Sequence, residues 1–247
     1  MTTAAWRVDV ITTFPESFEG FLEVSLLGKA RAAGTVEVRV HNLRDWADPP
    51  HRVTDDYAYG GGPGMVLKPE PIIAAVEDLR GTDGWVGLLT PQGRPLTQPR
   101  VAALAARPHL ILICGRYEGV DERVRTLVVD EEISVGDYVL SGGEVAAMVV
   151  IDAAARLVPG VVGDADSLVG ESHADGRLSH PQFTRPEEFR GRRVPSVLLS
   201  GHHERIQRWR RAQALHRTER RRPDLLEGRV LTDEERQLMD EDPPWDG

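Results

Sequence analysis

Apolar and polar positions along this chain change period repeatedly, and the changes outline its elements. The segments Trp6-Arg7-Val8-Asp9-Val10-Ile11-Thr12 and 35–41 read as strands, with helical material between them that Gly34 ends. A long polar loop runs from Asn42 to Lys68. Pro69 and Pro71 can then open a helix, because a proline in the first turn removes an N–H that has no intrahelical partner. Its apolar residues Ile72, Ile73, Val76 and Leu79 fall at helical spacing. A strand over 86–89, a polar loop over 90–94, a helix over 98–106, a strand over 110–113, a helix over 120–127 and a stretch over 128–135 continue the alternation. Strands alternating with helices predict an α/β fold whose parallel sheet is covered on both faces. The helix predicted over 144–158 is apolar nearly all round, from Val145 to Ala155, and must bury against more than one surface. Its position at the end of a domain favours a homodimer. These patterns predict a domain over 1–160, a flexible linker over 161–185 rich in glycine, aspartate and serine, and a small helical domain over 186–247 centred on 204–215.

Two glycine-bearing loops stand out, Cys114-Gly115-Arg116-Tyr117-Glu118-Gly119 and 134–143, which reads Ser-Val-Gly-Asp-Tyr-Val-Leu-Ser-Gly-Gly. The first follows the run 109–113. The second is led by a run through Leu127, Val128 and Val129, so both are expected to leave the carboxyl edge of one buried sheet, where open α/β sheets bind ligands. Glycine lets backbone approach a ligand and offers bare N–H and C=O groups to the edge of a flat heterocycle. Neither loop has the Gly-x-Gly-x-x-Gly or Gly-Lys-Ser/Thr form of the common phosphate cradles, and the run Tyr59-Gly60-Gly61-Gly62-Pro63-Gly64-Met65 lacks the lysine of a P-loop. A nucleoside cofactor without a pyrophosphate suits this pattern better than NAD or ATP.

Composition changes the picture in two ways. No stretch approaches the roughly 20 apolar residues of a membrane span, no basic-then-apolar signal segment opens the chain, and the single cysteine, Cys114, leaves no internal disulfide, so a cytoplasmic protein is expected. Cys114 itself reads as a small buried apolar residue at a strand end. The net charge of -9 is unevenly spread: residues 177–222 hold thirteen arginines against four carboxylates, whereas the tail from Asp224 holds nine acids and two arginines. An arginine block of this kind suits a polyanion such as RNA, with the tail as a solvated spacer or an electrostatic screen.

Five strings, Tyr59–Met65, Leu89–Arg94, Cys114–Arg123, Gly136–Glu144 and Val197–His203, occur in an order that resembles the TrmD family of the SPOUT superfamily, the bacterial tRNA (guanine-N1)-methyltransferases. The likeness covers about residues 6 to 223. It implies a SPOUT-type parallel sheet with a deep trefoil knot, an exception to the rule against threaded chains, and an obligate homodimer with active sites at the subunit interface. It also implies S-adenosylmethionine as cofactor, bound by Leu89, Thr90, Pro91, Gly115, Glu118, Val135, Gly136, Tyr138, Leu140, Gly142 and Gly143. The substrate implied is tRNA with guanosine at position 37, just 3′ of the anticodon.

Methylating guanine N1 requires removal of its proton. The family's base matches Asp175 in Ser172-His173-Ala174-Asp175-Gly176, and the family's arginine that meets negative charge on O6 matches Arg156. Without the resemblance, Asp175 reads as a turn aspartate before glycine and Arg156 as a cation at a helix C-terminus. A linker that closes over the site only with tRNA bound implies that residues 161–176 are disordered without it. Arg185, Arg192, Arg193, Arg205, Arg208, Arg210 and Arg217 are expected to neutralise phosphates, and Trp209 to pack the helical domain rather than stack on a base. The resemblance implies magnesium dependence, for which Glu118 or Asp175 is a suitable carboxylate, yet spacing identifies no magnesium cluster, and a zinc site is not expected from the eight histidines. The stretch Ser179-His180-Pro181-Gln182-Phe183 departs from the family's acidic residue, cysteine and histidine-tyrosine pair, which bears on base recognition rather than on reaction class. Two alternatives stand beside this reading: a knotted methyltransferase acting on rRNA or a ribose hydroxyl, and a catalytically silent RNA-binding module.

Overall fold

The computed structural model describes residues 5–163, 170–241, 243 and 245, and the chain divides into two compact units, Met1–Gly163 and Asp164–Gly247. The first is an α/β unit around a five-stranded sheet: β1 (Trp6–Thr12), β2 (Val36–Asn42), β5 (Trp85–Pro95), β6 (His109–Cys114) and β7 (Glu131–Ser134). The order across the sheet is β2-β1-β6-β5-β7, and every neighbouring pair is parallel. A small antiparallel pair, β3 (Asp55–Tyr57) and β4 (Met65–Leu67), interrupts the predicted loop 42–68.

Side-chain alternation in the central strands creates two cores. Val8, Val10, Leu110 and Leu112 face α1 (Glu19–Glu23), α2 (Ser25–Ala32), α4 (Gln98–Ala105) and α6 (Glu144–Ala155). On the other face Ile11, Ile111, Ile113, Val86 and Leu88 meet α3 (Pro69–Arg80) and α5 (Glu122–Leu127). All six residues of β6 are buried, as expected of a central strand sandwiched by helices. In α3 the prolines lie in the first turn as predicted, and the buried Ile72, Ala75 and Val76 form its inner stripe.

Two sequence expectations need correction. The second glycine loop is led not by Leu127–Val129 but by β7: Leu127 closes α5 and is exposed, while Val128 caps the helix. β7 falls within the predicted stretch 128–135 but carries little apolar signal of its own: it is an edge strand, so Glu131 and Glu132 can stay half-buried while Ile133 enters the core. The polar loop 90–94 likewise does not end its strand. Both Leu89 and Arg94 pair with Ile133, so residues 90–93 arch out of one continuous strand.

In the second unit, a short hairpin of β8 (Glu188–Phe189) and β9 (Arg192–Arg193) precedes α7 (Ser196–Leu199), α8 (His203–Arg221) and α9 (Asp233–Glu241). The buried face of α8 carries Trp209, Ala212, Gln213, Leu215 and Thr218, so Trp209 packs the unit as expected. The acidic tail is not the solvated spacer predicted from its composition. Leu238 and Glu235 of α9 are buried, Glu234 pairs with Arg211 at 2.8 Å, Glu241 pairs with Arg208, and the Gln213 amide binds the Pro243 carbonyl and Trp245 N–H, each at 2.8 Å. Part of the predicted linker, 164–169, lies outside the described residues. Among the described residues no helix is long and apolar enough to cross a membrane.

Candidate active site

A cavity of about 330 Å³ opens at the carboxyl edge of the sheet, where the arch of β5, the loop after β6 and the loop after β7 converge. The eleven residues singled out in those loops, from Leu89 to Gly143, all line it. Leu88, Leu89, Ile133, Val139 and Leu140 supply apolar wall, the glycines supply backbone, and Glu118, Glu122 and Glu132 supply negative charge. This is the mixture expected of a pocket for a flat, partly apolar ligand with a few polar anchors.

The loops lock together before they meet any ligand. Gly143 N–H donates to the Gly115 carbonyl at 2.8 Å, and Arg116 forms an antiparallel bridge with Gly142. A Cβ on Gly143 would lie 2.7 Å from Cys114 Cα and 2.9 Å from Gly115 N, so only glycine permits this approach. Arg116 then ties three segments: Nε donates to Glu144 at 3.2 Å, one terminal nitrogen donates to the Ser141 carbonyl at 3.3 Å, and the guanidinium stacks 4.2 Å from the centroid of Phe14. Glu144, buried at the start of α6, also accepts the Thr12 hydroxyl at 2.7 Å. A carboxylate at a helix N-terminus is favoured by the helix dipole. Arg116, Glu144 and Thr12 are the organising residues that sequence reasoning missed; the local signals were a charged residue inside the first glycine loop and another directly after the second, and Thr12 had none.

The glycine run 59–64 does not line the cavity but buttresses it. Glu118 N–H donates to the Met65 carbonyl at 3.1 Å, and Gly64, at φ +91°, leaves room for the Glu118 side chain. Burial holds the Cys114 thiol well above its ordinary pKa, with Glu144 acting in the same direction, so it stays protonated as the apolar reading requires.

Arg156 caps the C-terminus of α6, its N–H directed at the Ala154 and Asp152 carbonyls. Asp175 belongs to the second unit, within a braced turn: Ser172 and Ser179 hydroxyls lie 3.1 Å apart, and Leu178 N–H donates to Thr218 of α8 at 3.0 Å. Arg177 hydrogen-bonds the Asp175 carboxylate and holds its pKa below the ordinary value, against the opposing effect of burial. Arg177 also lies 3.6 Å from Glu235 of α9. Of the arginines expected to meet phosphates, Arg185, Arg192 and Arg205 are exposed, Arg193 pairs with Glu188 at 2.6 Å, and Arg208 pairs with Glu241. Burial and the neighbouring Arg221 and Arg220 lower the pKa of Arg217. Among the described residues no group of three or more His, Cys, Asp or Glu side chains is placed to hold a metal ion.

The family model described as "tRNA (Guanine-1)-methyltransferase TrmD" matches residues 6–228. Among curated relatives named tRNA (guanine-N(1)-)-methyltransferase, that of Dictyoglomus turgidum is 55% identical over 235 residues, covering 95% of this chain and 96% of the relative. Those of Halalkalibacterium halodurans and Syntrophotalea carbinolica are 52% and 53% identical, over 95% and 94% of this chain and 96% and 95% of theirs.

Proposed function

The chain belongs to the TrmD family of tRNA (guanine-1)-methyltransferases, and we propose from that premise how its residues divide the work. The enzyme transfers a methyl group from S-adenosylmethionine to N1 of guanosine 37 in tRNA. The observation that carries the assignment of its site is the convergence of three glycine-bearing loops, with all eleven expected residues, on one cavity at the sheet's carboxyl edge. The cavity suits the cofactor: apolar wall for the adenine, backbone N–H and C=O from the glycine loops for its edge, and the Glu118 carboxylate for the cationic end. When bound, S-adenosylmethionine supplies an electrophilic methyl group.

Asp175 accepts the N1 proton, and Arg156 meets the negative charge that spreads to O6. A positioned base contributes on the order of a hundredfold or more, and a donor aimed at a developing oxyanion about 3 kcal/mol. Paired with Arg177, Asp175 is ionised but weakly basic. Transfer of Arg177 to another partner, with Glu235 already nearby, raises the basicity of Asp175 at the moment of use. The first unit is the methyltransferase domain and the second the tRNA-binding helical domain; of the segment expected to be disordered without tRNA, residues 170–176 already form a turn braced against α8, so tRNA is left to bring Asp175 to the substrate rather than to order it. A trefoil knot is supported by the backbone contacts of Gly143 and Gly142 with Gly115 and Arg116, which press the segment entering α6 against the loop leaving β6. A homodimer is supported by the open face of α6, where Val145 and Val149 are 55% and 43% exposed.

The test is transfer of labelled methyl from S-adenosylmethionine to unmodified tRNA with guanosine at position 37, beside the same tRNA carrying adenosine there. Label is expected on the first alone, and Asp175→Ala is expected to lower the rate about a hundredfold or more while cofactor affinity holds. Label on both tRNAs, or full activity without Asp175, overturns the assignment.

A further inference from the structure

The second unit contains a cavity of its own, of about 450 Å³, which the chemistry above does not use. One wall is apolar: Phe183, Leu199 and Ile206 line it. Phe183 is itself held from behind, 4.9 Å from Trp245 and 6.2 Å from Trp209 between ring centroids, so this wall is a fixed aromatic surface rather than a loose side chain. The rim is cationic, with Arg185 and Arg210. Arg210 Nε is buried yet has no hydrogen-bond partner among the described residues. A buried donor left unsatisfied is costly, and an acceptor bound in the cavity relieves that cost. His180 and Glu187 complete the lining with hydrogen-bonding groups. The His180 ring directs Nδ1 at the Pro181 carbonyl at 3.0 Å, which makes Nδ1 the donor and leaves Nε2 as an acceptor in the neutral ring. Burial, with Arg210 and Arg217 nearby, lowers its pKa and keeps it neutral.

An aromatic wall, two guanidinium groups and a pair of acceptors match one ligand class, a single nucleotide with its base out of the stack. Resting on the tRNA methyltransferase reading, we propose that this cavity receives an unpaired nucleotide of the bound tRNA other than the guanosine that is methylated. Its base lies against Phe183, Leu199 and Ile206, and its phosphate meets Arg185 and Arg210. The pocket acts as a second anchor. It serves binding, not chemistry, so its effects fall on KM.

The test uses the full-length enzyme, an intact tRNA transcript with its target guanosine, and transcripts each lacking the base at one unpaired position. With wild-type enzyme, loss of one particular base besides the target should raise KM about tenfold and leave kcat unchanged. Leu199→Trp, at an exposed position where the larger ring fills the cavity, should raise KM for the intact transcript by a similar factor. The same variant should show no further rise with the transcript lacking that one base. Leu199→Glu, which sets a hydrated carboxylate in the apolar wall where the base is expected, should behave alike, and both variants should keep wild-type cofactor affinity. Unchanged KM in both variants, or effects that multiply at every base, overturns the proposal. Inactivity of the wild-type enzyme on every intact transcript would instead sink the methyltransferase reading, and the same cycle read as tRNA binding by fluorescence anisotropy then judges the pocket alone.

Discussion

The glycine-lined cavity of the first unit and the arginine surface of the second handle polar groups in opposite ways. Around the cavity, backbone meets backbone: Gly143 rests on Gly115, and the buried carboxylate of Glu144 is saturated by Thr12 and Arg116. In the second unit, long side chains carry the charge, some matched by α9 and others open, over a small core of Trp209, Ala212, Leu215 and Leu238. A frame that cannot yield suits selection of a small ligand. Side chains that can exchange partners suit a large flexible polyanion.

The sharpest way to break this contrast is Glu144→Ala, which strands Arg116 and Thr12 and should destabilise the first unit by about 4 kcal/mol, read from its thermal unfolding. A loss below about 1 kcal/mol would mean that the frame yields after all. Next, Leu238→Ala should cost about 3 kcal/mol in the second unit's unfolding transition while cofactor affinity stays unchanged. Coupled loss of cofactor binding would erase the division between the two regions. Gly143→Ala, whose methyl must displace backbone, should weaken cofactor binding by about 2 kcal/mol, roughly thirtyfold by calorimetry, and spare tRNA affinity. Smallest is Arg177→Gln. Pairing lowers the pKa of Asp175 in the folded state, so its stabilising effect is present above the unfolded carboxylate pKa of about 3.9 and is lost as pH falls through the lower folded value. Removing Arg177 lets Asp175 protonate at higher pH, and the acid limb of single-turnover methylation should move upward. A stationary limb would show that Arg177 has already left Asp175 in the reacting complex.

Much of the first unit was legible because its signals are local. Leu110–Cys114 is an unbroken apolar run, Pro69 and Pro71 announce α3, and the glycine loops that line the cavity are contiguous strings. What escaped was of two kinds. Edge and surface elements disguise themselves with charge: β7 has a single fully apolar residue, and the acids of α9 conceal the Leu238 that docks it. The site's internal brace escaped because it spans 132 residues between Thr12 and Glu144, a separation that no periodicity records. The Asp175–Arg177 pair, two residues apart, was within reach of local reading, yet the same string reads equally well as a turn.

The tail that folds back on α8 alters how salt should act on this enzyme. Each protein cation that engages a phosphate releases condensed counterions from the nucleic acid, so the slope of log affinity against log salt counts the cations engaged, at about 0.9 per contact on duplex and about 0.7 on single strands. Arg208 and Arg211 already hold resident counterions in Glu241 and Glu234, covalently part of the same chain. While those pairs persist they add nothing to the slope, and the arginine-rich segment behaves as a less charged polymer partner than its thirteen guanidinium groups suggest. The tail thereby sets an internal ionic strength for the arginine-rich surface, one that dialysis cannot change.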